Sequence, residues 1–197
     1  MIWQKWQVAS VAVGKCVILL LGCLAVVSLV SAQPVPMRGL PLVDQAGRAV
    51  QGTSLVLLNF VFTNCSSTCP TQTHELVVLY EELAADVRSK VRFISVSVDP
   101  LRDTPASLRA YAKRMGANLP SWQFVTGDPI VVRQLLDRMQ ALGPPADQRR
   151  VEEHVTSLYL FGTDGNLVQR YRGVPIDRQR LRDEISRLVR SPRVVRP

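Results

Sequence analysis

The sequence predicts an α/β fold, a central mixed sheet flanked by helices. Two apolar strand-like runs are separated by a helical stretch. A later pair of short strands is joined by Asp164-Gly165, and a final helix carries its arginines outward. The first pair reads as a parallel β-α-β unit and the second as an antiparallel hairpin.

Taken in order, Leu40 to Val50 holds two short extended pieces around Asp44-Gln45-Ala46-Gly47, an N-terminal β-hairpin extension. Leu55 to Phe62 is continuously apolar apart from Asn59 and rich in branched and aromatic residues, as a buried central strand requires. A helix follows from about Thr68, with Pro70 tolerated in its first turn and Leu76, Leu79, Tyr80 and Leu83 on one face. Val91 to Val98 is the second central strand, stopped by Asp99-Pro100. Thr104 then caps a helix that begins at Pro105 and runs through Met115. Asp128-Pro129 repeats the device and starts a helix expected to turn Ile130, Val131, Leu135, Leu136 and Met139 inward. Val155 to Phe161 and Leu167 to Tyr171 are the hairpin strands, and Leu181, Ile185 and Leu188 are the inward face of the last helix. This order is the thioredoxin-like arrangement with one added helix.

The chain opens with Lys5 and Lys15, the apolar stretch Val17 to Val30, and Val30-Ser31-Ala32. A basic start, an apolar middle and small residues before a cut describe a secretory signal over residues 1–32, cleaved after Ala32; the alternative is a retained membrane anchor. Leu20-Leu21-Gly22-Cys23 has the form of a lipoprotein box, but apolar sequence continues past Cys23. All readings put residues 33–197, a single domain, outside the cytoplasm, in a periplasmic setting.

Of four cysteines, Cys16 and Cys23 fall in the leader, so the domain holds only Cys65 and Cys69. A pair this close closes too short a loop to add much stability, so its purpose is chemical. It sits where the first central strand meets its helix, and a helix N-terminus favours a thiolate.

With 24 Lys and Arg against 16 acids, the chain carries a net charge of +8, and Arg170 to Arg196 is especially basic. A solvated basic face, an acidic partner or an anionic membrane surface all accommodate that excess. Nucleic acid does not, because no aromatic-basic interleaving accompanies the arginines.

Two thiols in CxxxC spacing can form a disulfide or hold a soft metal. They under-coordinate Zn²⁺, whereas Cu(I) accepts fewer and softer ligands, and one added imidazole suits both copper oxidation states. His74 falls about 140° around the helix from Cys69, which makes it a surface residue. His154, in the loop before the hairpin, is the remaining candidate for a third ligand, with Glu152 and Glu153 placed to orient it.

Four stretches carry a family resemblance: residues 59–76, Ser97 to Gly116, Trp122 to Pro129, and the run from His154 to Val168. Their most specific elements are T-x-C-x-x-x-C-P at Thr63 to Pro70 and D-P-x-R-D-T-P at Asp99 to Pro105. Together they resemble the Sco/SenC family of copper-binding proteins from about Leu40 to Leu188. The resemblance implies a thioredoxin-like fold and copper, Cu(I) or Cu(II), held by Cys65, Cys69 and His154. It also implies a metallochaperone role in assembling the copper centre of respiratory oxidase, as copper donor, thiol reductant or both. The implied partners are a copper-accepting oxidase subunit or copper-centre assembly protein, together with a thiol–disulfide reductant. Members are commonly membrane-anchored. The family usually has Pro directly after the first cysteine and often Asp one residue later, where this chain has Ser66 and Ser67. Those changes bear on affinity and redox potential.

Three rival readings remain. A thiol–disulfide oxidoreductase without copper would use CxxC, a preceding Trp and a Pro before the hairpin strand, none of which is present. A peroxidase would need Pro seven residues before its reactive cysteine, which for Cys69 is Phe62. The third is a binding module with an inert disulfide.

Overall fold

The computed structural model describes residues 34–50, 54–141 and 156–191. The leader, His154 and the Gly143-Pro144-Pro145 loop lie outside the described residues. Six strands form one mixed sheet: β1 (Val43–Asp44), β2 (Leu55–Val61), β3 (Val91–Ser97), β4 (Trp122–Thr126), β5 (Ser157–Phe161) and β6 (Leu167–Arg172). Their spatial order is β1-β4-β3-β2-β5-β6, with β2, β3 and β4 parallel and the other neighbours antiparallel. The helices are α1 (Thr68–Glu82), α2 (Ala85–Arg88), α3 (Pro105–Arg114), α4 (Pro129–Arg138) and α5 (Arg178–Arg190). A mixed sheet with helices on both faces is the expected thioredoxin-like arrangement.

Strand alternation assigns the two cores. Leu55, Leu57 and Val61 of β2 point to the face covered by α1, α3 and α5, where Leu76, Leu79, Leu108, Tyr111, Leu181 and Ile185 meet them. Val56, Leu58 and Phe60 point to the opposite face, closed by α4 and by the short helical turn Val35–Met37. β2 and β3 are buried on both sides, which is why each reads as an almost unbroken apolar run.

The N-terminal extension is a rudimentary hairpin. Val43 bridges to Ala49, while the Asp44 carboxylate accepts the backbone N–H groups of Ala46 and Arg48. Burial raises the Asp44 pKa, but those hydrogen bonds and the Arg48 guanidinium outweigh it and hold the carboxyl below its ordinary range. β1 then joins the sheet edge beside β4.

Two elements exceed the expectation: β4, where Trp122 to Thr126 form a parallel strand beside β3, and the single turn α2. One expected face is corrected. Ile130 is 69% exposed, and Val132 is buried with Leu135, Leu136 and Met139. The spacing i, i+3, i+4, i+7 belongs to Val132, and at 100° per residue Ile130 lies about 200° away from it. Among the described residues no helix is long and apolar enough to cross a membrane.

Candidate functional site

β2 ends at Val61 and the chain turns through Phe62 to Ser67 before α1 begins. Cys65 is fixed by its backbone N–H donating to the Phe62 carbonyl at 3.2 Å. Its sulfur accepts the backbone N–H of Cys69 at 3.4 Å. Ser67 occupies the cap position of α1, yet its side chain makes no capping hydrogen bond, so the thiol supplies the acceptor that a hydroxyl or carboxylate supplies elsewhere. The four-residue spacing is what lets Cys65 reach back to the helix opening at Cys69.

The two cysteines are not joined in a disulfide and sit in different surroundings. Cys65 is half-buried. Burial pushes its pKa up, but hydrogen bonds from the backbone of Cys69, Ser67 and Thr68 and from the Cys69 side chain favour the thiolate, and the net effect is a lowered pKa. Cys69 is 1% exposed and belongs to the apolar cluster containing Phe60, Phe62 and Val98. Its burial, together with the neighbouring Cys65, pushes it up to about 12. One sulfur is therefore half-exposed with its thiolate form favoured, and the other is a buried thiol against it.

Two buried polar systems support this turn. Asp103, 1% exposed, accepts the Thr63 backbone N–H at 3.1 Å, the Thr63 hydroxyl at 2.6 Å and the Ser97 hydroxyl at 2.6 Å. The T-x-C-x-x-x-C-P and D-P-x-R-D-T-P motifs thus meet at one carboxylate, which holds the ends of β2 and β3 together below Cys65.

The second system runs across the sheet. Trp122 Nε1 donates to the Ser95 hydroxyl at 2.9 Å, which donates to Asn59 Oδ1 at 2.7 Å. Asn59 Nδ2 in turn donates to Gln72 Oε1 at 2.8 Å. Gln72 Nε2 finishes the chain by donating to the carbonyls of Thr156 at 3.2 Å and Gly173 at 3.1 Å. Gln72 is one helical turn beyond Cys69, and Thr156 is two residues beyond His154. The segment entering β5 is thereby tied to the cysteine helix. A Cβ on Gly173 would fall 1.5 Å from the Thr156 carbonyl oxygen and 2.1 Å from Gln72 Nε2, so that seam closes only around glycine.

Of the three expected ligands, Cys65 and Cys69 come together and His154 lies outside the described residues. His74 is exposed, as its helical angle requires. Among the described residues no three His, Cys, Asp or Glu side chains converge on a metal-sized point, so the donors on view are the two sulfurs. Gln72 and the role of Asp103 were not expected. Their signals were Asn59, a lone amide in an apolar strand run, and the second acid of the D-P-x-R-D-T-P motif.

The SCO1/SenC family model matches residues 40–190. The SCO1 protein homolog of Bacillus subtilis strain 168 is 33% identical over 137 residues, covering 66% of this chain and 70% of that protein. Matches to two further relatives span 65% and 66% of their own lengths. BsSco, described as a member of the Sco family of cytochrome c oxidase assembly proteins with a disulfide switch, superposes with a TM-score of 0.64. It shares 28% identity, over 76% of this chain and 91% of BsSco. ScoI of Bradyrhizobium japonicum, solved with copper bound, gives a TM-score of 0.61 and 26% identity over 74% of this chain and 94% of its own. With the fold, the CxxxC turn and the family match in agreement, the chain belongs to the SCO1/SenC family.

Proposed function

We propose that the protein is a metallochaperone whose cargo is copper, held by Cys65, Cys69 and His154, and that it serves the assembly of a respiratory oxidase copper centre. The observation that carries this reading is the convergence of two thiols, not joined in a disulfide, at the opening of α1. There Cys65 Sγ lies 3.4 Å from the Cys69 backbone nitrogen and its thiolate is favoured. Two soft sulfurs suit Cu(I), and an imidazole from His154 extends the set to Cu(II). Copper-bound ScoI supports the same cargo here. Residues 1–32 would carry the domain across a membrane or hold it there, so that it meets an oxidase subunit or a copper-centre assembly protein outside the cytoplasm.

A copper titration of the reduced protein tests this. One copper per chain is expected, with a sulfur-to-metal charge-transfer band in the Cu(II) form. His154→Ala is expected to abolish or severely weaken Cu(II) binding while Cys65 and Cys69 still oxidise to a disulfide. Parent-like Cu(II) binding by His154→Ala would sink the three-ligand site.

The asymmetry of the thiols favours a second reading, reduction of a partner's disulfide. Half-exposed Cys65 would attack one partner sulfur and buried Cys69 would resolve the mixed disulfide. Two thiols here become one disulfide as the partner's disulfide becomes two thiols, and an external thiol reductant resets the pair. A protein that binds no copper but reduces such a partner rapidly would establish this reading instead.

A further inference from the structure

Three arginines line one concavity at the edge of the sheet. Arg170 and Arg172, from the end of β6, and Arg180, from α5, line a cavity of about 360 Å³ with Tyr171, Ile176 and Asp177; Arg170 and Arg172 stand on the Tyr159 face of β6 and Arg180 on the Tyr171 face, so the three side chains flank the strand's edge. Arg170 is braced by a 2.8 Å hydrogen bond to the Ser157 hydroxyl and lies over the Tyr159 ring. Arg180 lies over the ring of Tyr171. Elsewhere on α5, Arg178 and Arg182 face Glu82, and Arg187 faces Glu184. Among the described residues, neither Arg172 nor Arg180 has a carboxylate within ion-pair distance. Asp177, the acid on the cavity wall, is turned to the Arg180 backbone N–H as the cap of α5.

The position of this concavity is as informative as its charge. β6 is the outermost strand on its side of the sheet, and among the described residues no strand pairs with its outer edge, the kind of edge to which an extended chain can add. The register Ser157↔Arg172 puts Arg172 at the same end of the sheet as the turn carrying Cys65. β5 alone separates β2 from β6, a lateral distance of about 10 Å at the usual strand spacing. Gln72, one turn after Cys69, donates to the carbonyl of Gly173, the residue next to Arg172.

We infer that the Arg170–Arg172–Arg180 concavity is the docking site for an acidic, extended segment of the protein that exchanges copper or electrons with Cys65 and Cys69. Guanidinium forks match carboxylates in pairs, and an open strand edge supplies the backbone hydrogen bonds that isolated surface charges lack. Acidic side chains that alternate along an extended peptide paired with this edge would meet arginines on both faces of β6, a match that a planar lipid surface does not make. That the docked protein is the partner of the cysteines rests on the proposed function; the docking itself does not.

The test uses the full chain in detergent, copper-free and oxidised, titrated with fluorescein-labelled hexaglutamate at about 20 mM salt, where surface charge is weakly screened. The double variant Arg172→Glu/Arg180→Glu is compared with Lys113→Glu/Arg133→Glu, which makes the same change in net charge at exposed positions of α3 and α4. The expected result is at least roughly tenfold weaker binding for the first pair and under about twofold for the second. Equal losses in both pairs would reduce the effect to the net charge of +8 and overturn the site. No peptide binding by the parent, with phosphatidylglycerol vesicles bound through Arg172 and Arg180 instead, would overturn it in favour of a lipid surface. Copper stoichiometry is measured on the same proteins after reduction of the cysteine pair. Docking without copper binding defeats the proposed cargo and leaves the docking site standing; copper binding without docking defeats the site alone.

Discussion

Helices α3, α4 and α5 open in one way and α1 opens in another. Thr104 Oγ1 accepts the Ser107 N–H, Asp128 accepts the Ile130 N–H, and Asp177 accepts the Arg180 N–H. Each is an oxygen cap that satisfies a donor left over at a helix start. At α1 the cap residue Ser67 leaves its side chain uncommitted, and the sulfur of Cys65 takes the Cys69 N–H. The comparison separates two uses of the same physics. Three helices spend their positive ends on oxygen caps, and α1 presents its positive end to a sulfur whose thiolate form is favoured.

The largest expected break of this contrast is Cys65→Ser. A hydroxyl at 65 makes α1 resemble its neighbours, so folding is retained, while copper binding falls by more than the roughly 10–100-fold typical of residues that only orient a ligand. A copper titration set beside thermal melting reads both halves. Retained copper binding would show that Cys65 is not a ligand.

Alkylation across pH sharpens the difference between the two sulfurs. Cys65, held as thiolate by the α1 backbone, is expected to react with a midpoint below the ordinary cysteine range, while Cys69, pushed up to about 12, stays inert at neutral pH. The sign for stability follows from the depressed Cys65 value. Its contribution is present above the unfolded thiol's pKa and is lost as pH falls through the folded one. Mass spectrometry of singly alkylated peptides distinguishes the sites, and equal labelling of both would refute the asymmetry.

Gln72→Leu cuts the tie between α1 and the segment entering β5. It strands the Thr156 and Gly173 carbonyls and the Asn59 amide, at an expected cost of about 1–3 kcal/mol in denaturant unfolding. The smallest effects compare the caps directly. Thr104→Ala and Asp128→Ala should each cost about 1 kcal/mol, whereas Ser67→Ala should stay within about 0.5 kcal/mol. A cost at Ser67 matching the other two would erase the distinction between α1 and the oxygen-capped helices.

The same contrast explains what was legible in the sequence. Thr104-Pro105 and Asp128-Pro129 announce their helices because cap and first-turn preferences are local, and β2 and β3 announce themselves because burial on both faces demands unbroken apolar runs. β4 is shorter, and Gln123 interrupts its apolar residues, so Trp122 to Thr126 did not stand out as a strand until paired with β3. Ile130, Val131 and Val132 are consecutive and all apolar, and it is the i, i+3, i+4, i+7 spacing to Leu135, Leu136 and Met139 that selects Val132 as the inward residue. Cys65 and Cys69 were readable from spacing and position. Asp103 and Gln72 were not, because each acts across the sheet, on partners 40 and 84 residues away in the chain.

Gly173 carries a consequence of another kind. Its backbone is not in the left-handed region, so other residues could adopt its conformation; what they lack is room, with the Thr156 carbonyl oxygen 1.5 Å from where a side chain would begin. Gly47 and Gly116 are the reverse, with positive φ and open space around them. In a library carrying every amino acid at each position, Gly47 and Gly116 would tolerate asparagine and aspartate, while position 173 would return glycine alone.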